Sequence, residues 1–229
     1  MEYITYLVDW FEKKLSRLKL EYSNELEAFK GFEPKKENLY QDEIAFLRHC
    51  YRTCGNLNRD KALDFVNLVL KKRYKKNLPS KNTLNRCHSE LSMNQTLPYS
   101  SIEIGSIMAS IIDPYKHPIY FSHFSAVLNS IQYNENENGG YFFPYLVNFH
   151  LESVAISKVE KLSQTYLSGE HNWKVVERKD LYYFYVLTLN QCLKKLSYYE
   201  IYDLSLCLSF YGLEECKKLI KRYFIEGEL

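Results

Sequence analysis

Along the start of the chain, Ile4 or Leu7, Phe11, Leu15, Leu18, Tyr22, Leu26 and Phe29 step by three or four positions. That spacing puts them on one face of a helix over residues 3–30. Lys13, Lys14, Arg17 and Lys19 alternate with acids on the other faces, and Gly31 follows, where a left-handed cap is cheap. After a linker at 32–38 the pattern predicts a helix over 39–54 that stops at Gly55. A third helix starts after Asn58, with Leu63, Val66 and Val69 or Leu70 inward. Pro79 and Ser80 restart the chain into a short helix through Leu91. Ser100 or Ser101 caps the next one, which carries Ile104, Ile107, Met108 and Ile111 and ends at Asp113-Pro114.

In the second half, Pro118 suits the first turn of a helix that buries Phe121, Phe124, Val127 or Leu128, and Ile131. The stretch 132–140 (QYNENENGG) reads as a loop and as a subdomain boundary. Pro144 opens a long helix ending near Gly169. Trp173, Val175 and Val176 predict a short strand near 173–176. Asp180 caps a helix with Leu181, Tyr185, Leu189, Cys192 and Leu196 inward. Ser197 and Glu200 have capping-box spacing before Ile201, Leu204, Leu208 and Tyr211. Gly212 ends that helix, and 213–224 form the last. The sum is an all-α protein of about ten helices in a multi-layer bundle or helical stack, one domain over 1–229. No fixed-period repeat marks a solenoid.

Composition adds an aromatic surplus. The 229 residues include 21 tyrosines and 13 phenylalanines but only 8 glycines, which implies a thick aromatic core and few tight turns. The longest run without a full charge, 117–134, contains Ser122, Ser125, Asn129, Ser130 and Gln132. Those polar groups argue against a membrane span. Glu2, Asp9 and Glu12 interrupt any secretory signal. Six dilute cysteines fit reduced core thiols and a cytoplasmic setting.

Charge is uneven. Between Asn58 and Arg86 nine cations face two acids, so this segment carries +7 while the rest of the chain carries −5. Lys71, Lys72, Arg73, Tyr74, Lys75 and Lys76, with Lys81 and Arg86, could complement a helix C-terminus. Their functional reading is a patch for an acidic partner surface or for phosphates.

Candidate chemistry is thin. Cys50 and Cys54 share a helix face, and Cys87-His88 stands on another, yet the usual two-residue spacing of a zinc knuckle is absent. No metal and no cofactor is expected. His123 and His150 lie in apolar stretches, as hydrogen-bonded core histidines do. After the stretch holding His117 and His123, the turn at Asn138-Gly139-Gly140 resembles the nucleotide loop of the Fic family at Asn138 and Gly139 alone. Ile131-Gln132-Tyr133-Asn134 supplies no histidine and no arginine follows the glycines, so that activity is not expected. Nucleophile elbows, phosphate loops and zinc-protease motifs are missing, which argues against an enzyme without abolishing it.

Aromatics on several faces of one helix cannot all point inward. Tyr182, Tyr183, Tyr198 and Tyr199 are therefore candidate contact residues for a groove, a second copy of the chain or a protein partner. The reading is a non-enzymatic helical protein that binds an acidic protein, in an inhibitory, toxin-neutralising or immunity-like role. The alternative is a nucleic-acid-associated protein that uses residues 58–86.

Overall fold

A helix with a strong apolar face is stable only against another such face. The described residues of the computed structural model form five α-helices, α1 (Glu2–Ala28), α2 (Ile102–Ile112), α3 (Phe124–Glu135), α4 (Leu181–Leu193) and α5 (Ile201–Ile225), and of these α1, α3, α4 and α5 meet this requirement for one another. Single 3-10 turns at Tyr99–Ser101 and Arg178–Asp180 lead into α2 and α4. The structure describes residues 2–28, 89, 91, 96–113, 115–135, 139–146, 168–169 and 171–225, with the side chains of α1 over 3–17 and of α5 over 201–219 and 221. The helices expected at 39–54 and in the basic segment lie outside these residues. The five described helices support the all-α class.

The inward face of α1 is the one its spacing predicts: Ile4, Leu7, Phe11 and Leu15 are buried, joined by Tyr3, Val8 and Trp10. α3 is the centre. Every residue from Phe124 to Tyr133 is buried, and the helix packs against α5, α1 and β1. Full enclosure has a cost, because Ser125, Asn129, Ser130 and Gln132 are taken out of water with it.

Three of these polar residues recover that cost on an adjacent extended segment. Ser125, Asn129 and Gln132 stand at i, i+4 and i+7, one face of α3. The Asn129 amide donates to the Phe143 carbonyl at 3.0 Å and its oxygen accepts from the Phe143 N–H at 2.9 Å. Gln132 repeats this reciprocal pair with Tyr141 at 3.0 and 2.9 Å. Ser125 donates to the Pro144 carbonyl at 2.8 Å.

The other edge of the segment pairs with protein backbone. β1 (Tyr141–Phe142) and β2 (Lys174–Val175) run parallel, in the register Tyr141 to Lys174 and Phe142 to Val175. The N–H groups of Lys174 and Val176 donate to the carbonyls of Gly140 and Phe142 at 2.9 and 3.0 Å. Alternate residues of a strand present their backbone to opposite edges. Here Gly140 and Phe142 address β2, while Tyr141 and Phe143 address the amides of α3. A side chain at Gly140 would collide with this arrangement, its Cβ falling 2.9 Å from Gln132 Oε1 and 3.0 Å from the Trp173 ring.

Several local expectations change. Pro118 does not start a helix: residues 117–121 are non-helical, and α3 begins at Phe124. The buried backbone there is satisfied from outside. Ser106 Oγ accepts from the Tyr120 N–H at 2.8 Å, and the hydroxyls of Tyr182 and Tyr185 donate to the carbonyls of Pro118 and Ile119 at 3.0 and 2.9 Å. α3 continues through Glu135, so the stretch read as a loop from residue 132 begins as helix. Residues 143–146 are not helical, so no helix opens at Pro144. The strand falls within the expected 173–176 stretch, but its partner at 141–142 was unanticipated.

Two caps also differ from the sequence reading. Asp180 occupies the N-cap position of α4 but makes no side-chain capping bond. At α5 the Asp203 carboxylate accepts from the Glu200 N–H at 2.8 Å, the reach-back half of a capping box set three residues later than Ser197 and Glu200 suggested.

Gly212 does not end a helix either. It lies inside the single helix α5, where α5 approaches α3 so closely that a Cβ would sit 2.6 Å from both methyls of Val127. Val127 is β-branched and stiff, and rotation about χ1 clears only one methyl at a time. Gly212→Ala is expected to lower stability by about 1–3 kcal/mol despite the better helix propensity of alanine. In a Val127→Ala background most of that loss should vanish, which a double-mutant cycle by urea unfolding would measure. Asn129→Ala strands both the Phe143 N–H and its carbonyl. A loss of about 2–4 kcal/mol is expected by the same assay, against a smaller one for Gln191→Ala on the half-buried side of α4.

Candidate functional site

The sequence-predicted contact residues separate by position. Lys71, Lys72, Arg73, Tyr74, Lys75, Lys76, Lys81 and Arg86 lie outside the described residues. Tyr182 is fully buried and gives its hydroxyl to Pro118, so it is a core residue and presents no surface. Tyr199 is half-buried and packs against the core. Tyr183 on α4 and Tyr198 in the α4–α5 connection are exposed, by 42% and 93%. Lys194, Lys195 and Ser197 are exposed in the same connection.

A second group assembles where α1 meets α5. The Lys14 ammonium lies 2.6 Å from Glu214 Oε2, and Arg17 Nη1 lies 3.3 Å from Glu214 Oε1. The hydrogen bond from Lys14 holds the Glu214 carboxyl below the usual carboxylate range, with Arg17 adding to the effect. Glu215, next in the chain, is buried. Lys218 contacts it at 2.9 Å, the Asn134 amide donates to it at 3.3 Å, and Lys14 approaches to 3.9 Å. Both α1 cations also lie over aromatic rings, Lys14 at 5.2 Å and Arg17 at 4.9 Å from the centre of Tyr211. Partners some 200 positions away leave no local signal, and the one clue was the charge alternation on α1.

The third group surrounds the start of α2. Glu103 is half-buried, and loss of water pushes its carboxyl up to about 7, opposed by a hydrogen bond from Ser122. Tyr120, wholly buried, shares a short hydrogen bond with Ser125, and desolvation raises its phenol far above the usual value. Tyr99 donates to the Tyr145 carbonyl in another short contact, with the Arg178 guanidinium 5.3 Å from its ring centre. His123 stacks on Phe121 at 5.7 Å and meets the edge of Phe124 at 4.9 Å. Burial pushes its imidazole down to about 4. His150, the other histidine set in an apolar stretch of the sequence, lies outside the described residues.

Thiol and metal chemistry gain no support. Burial pushes Cys192 up to about 12 and Cys216 to about 11, and it raises Cys207 further, so all three remain protonated thiols. Among the described residues no group of three His, Cys, Asp or Glu could hold a metal ion. Cys50, Cys54, Cys87 and His88 lie outside them. No described helix is long and apolar enough to cross a membrane.

No family model, no curated protein and no solved structure matches this chain.

Glu103 and His123 give opposite pH dependences. The carboxyl of Glu103 is raised in the fold from its ordinary 4.5, so stability is lost as pH rises from there through about 7. The imidazole of His123 is lowered from its ordinary 6.5, so stability is lost as pH falls from there to about 4. Each limb is worth at most about 3 kcal/mol. The two limbs overlap between the ordinary values of 4.5 and 6.5 and nearly cancel there, so thermal melts from about pH 4 to about pH 8 should show a plateau that falls off only below about 4.5 and above about 6.5. Glu103→Gln should leave a melting temperature that rises from about pH 4 to about pH 6.5, the His123 limb alone, and His123→Phe one that falls from about pH 4.5 to about pH 7, the Glu103 limb alone.

Proposed function

We propose that the chain is a non-enzymatic helical protein that acts by binding a protein partner with an acidic surface. The observation that supports this reading best is Tyr198, which leaves 93% of its surface in water in a chain that covers most of its described aromatics. A tyrosine adds rigid, partly apolar contact area with little rotamer entropy to lose, which is why such residues anchor interfaces. Tyr183, at the opposite end of α4 from Tyr198, is also exposed. Lys194 and Lys195 add positive charge to the connection that carries Tyr198, consistent with an acidic partner. The desolvated thiols and the depressed His123 supply no nucleophile or base with a matched pKa. In this reading the partner is held inactive, an inhibitory or toxin-neutralising role.

The test is affinity capture from source cells with the tagged full chain, half of the lysate being treated with nuclease. One protein should be recovered equally from both halves. The double variant Tyr183→Ser/Tyr198→Ser, checked for an unchanged melting temperature, should reduce its recovery about tenfold or more. The purified partner should lose activity on titration with the chain. Recovery that disappears with nuclease would replace this reading with nucleic-acid association through residues 58–86.

A further inference from the structure

We propose that Lys14 and Arg17 form a carboxylate cradle for an acidic segment of a partner protein, and that Glu214 fills this cradle until the partner displaces it. The inference rests on the reading of the chain as a binder of an acidic protein. It assigns part of that binding to the seam between α1 and α5.

The geometry has three parts. First, the two cations converge on one carboxylate, with Lys14 at 2.6 Å from one oxygen and Arg17 at 3.3 Å from the other. Such two-point recognition of a carboxylate is specific in orientation as well as charge.

Second, the cations are held in place without Glu214. The Lys14 side chain is only 14% exposed, its ammonium 5.9 Å from the centre of the Trp10 ring and 5.2 Å from that of Tyr211. The Arg17 guanidinium rests over the same Tyr211 ring. Buried Glu215, fixed by Lys218 and Asn134, stays 3.9 Å from Lys14 as a permanent counter-charge. The cradle therefore keeps its shape when Glu214 leaves.

Third, Glu214 is cheap to displace. Its side chain is 43% exposed and Arg17 is 48% exposed. An exposed ion pair shifts an equilibrium by about fivefold at most. An incoming carboxylate meets the same two donors, moves Glu214 into water and bears its own cost of association. Glu215 is only 3% exposed and is not replaceable in this way.

Fluorescence anisotropy with a labelled oligoglutamate peptide and the full-length chain tests the cradle. Glu214→Gln should bind the peptide about fivefold more tightly than the unmodified protein, with the gain weakening as salt rises. Adding Arg17→Gln should remove that gain. The proposal is overturned if Glu214→Gln binds no more tightly, if the gain survives Arg17→Gln, or if Glu214→Gln unfolds, since it requires a dispensable ion pair. A single-stranded oligonucleotide of equal charge that gains more than the peptide would overturn the assignment to an acidic protein. Loss of the tyrosine-dependent capture with the oligoglutamate gain intact would sink the partner reading alone. The reverse result would sink the cradle alone.

Discussion

The described fold depends on a helix face that behaves as the edge of a sheet. α3 is enclosed by its neighbours, so its polar side chains have no water to turn to. The backbone of 141–144 has β2 on one edge only, and its other edge would be stranded in the interior. Asn129 and Gln132 resolve both problems at once, because a side-chain amide offers a donor and an acceptor in nearly the arrangement of a peptide group. Unpartnered, each buried group would cost about 1–3 kcal/mol. Paired, they fix the register of β1 against α3, and that register places Phe142 and Phe143 in the core.

The same logic explains why this chain favours tyrosine over phenylalanine. The buried non-helical stretch around Pro118 has carbonyls that no helix or strand can satisfy. Tyr182 and Tyr185 reach them from α4, each ring filling the core and each hydroxyl ending on a backbone oxygen. Tyr120 and Tyr185 meet edge to face at 4.9 Å, so the ring packing and the hydrogen bonding share one geometry. A phenylalanine at either α4 position would fill nearly the same space and leave a buried acceptor unmet. Part of the aromatic surplus is therefore internal wiring, and among the described residues the exposed aromatic rings are those of Tyr115, Tyr183 and Tyr198.

The seam between α1 and α5 combines two ion pairs of different kinds. Glu215 is buried and held from several directions, and its loss would leave Lys14 short of a counter-charge in a poorly solvated place. Glu214 is at the surface, where water competes with every contact it makes. Two neighbouring glutamates thus differ in what they do for the fold. The difference follows from which face of α5 each occupies, not from their chemistry.

The sequence by itself determined that the described chain is mainly helical and which face of α1 turns inward, and it offered 173–176 as a place where a strand could form. These follow from the period of apolar residues and from local propensity, which act over a few neighbours. It also marked Ser125, Asn129 and Gln132 as costly to bury, though without naming what they bond. Only the tertiary structure decided that Pro118 lies in a buried non-helical stretch, that Gly212 is a point of close approach and not a stop, that Tyr182 is core, and that Glu214 meets Lys14 and Arg17. In each case the deciding partner is far away in the chain: Tyr182 and Tyr185 for Pro118 and Ile119, Val127 for Gly212, α1 for Glu214. Local rules give glycine a stop and proline a start because those are its cheapest uses in isolation. Packing overrides them wherever a close contact or a satisfied carbonyl is worth more than the local preference.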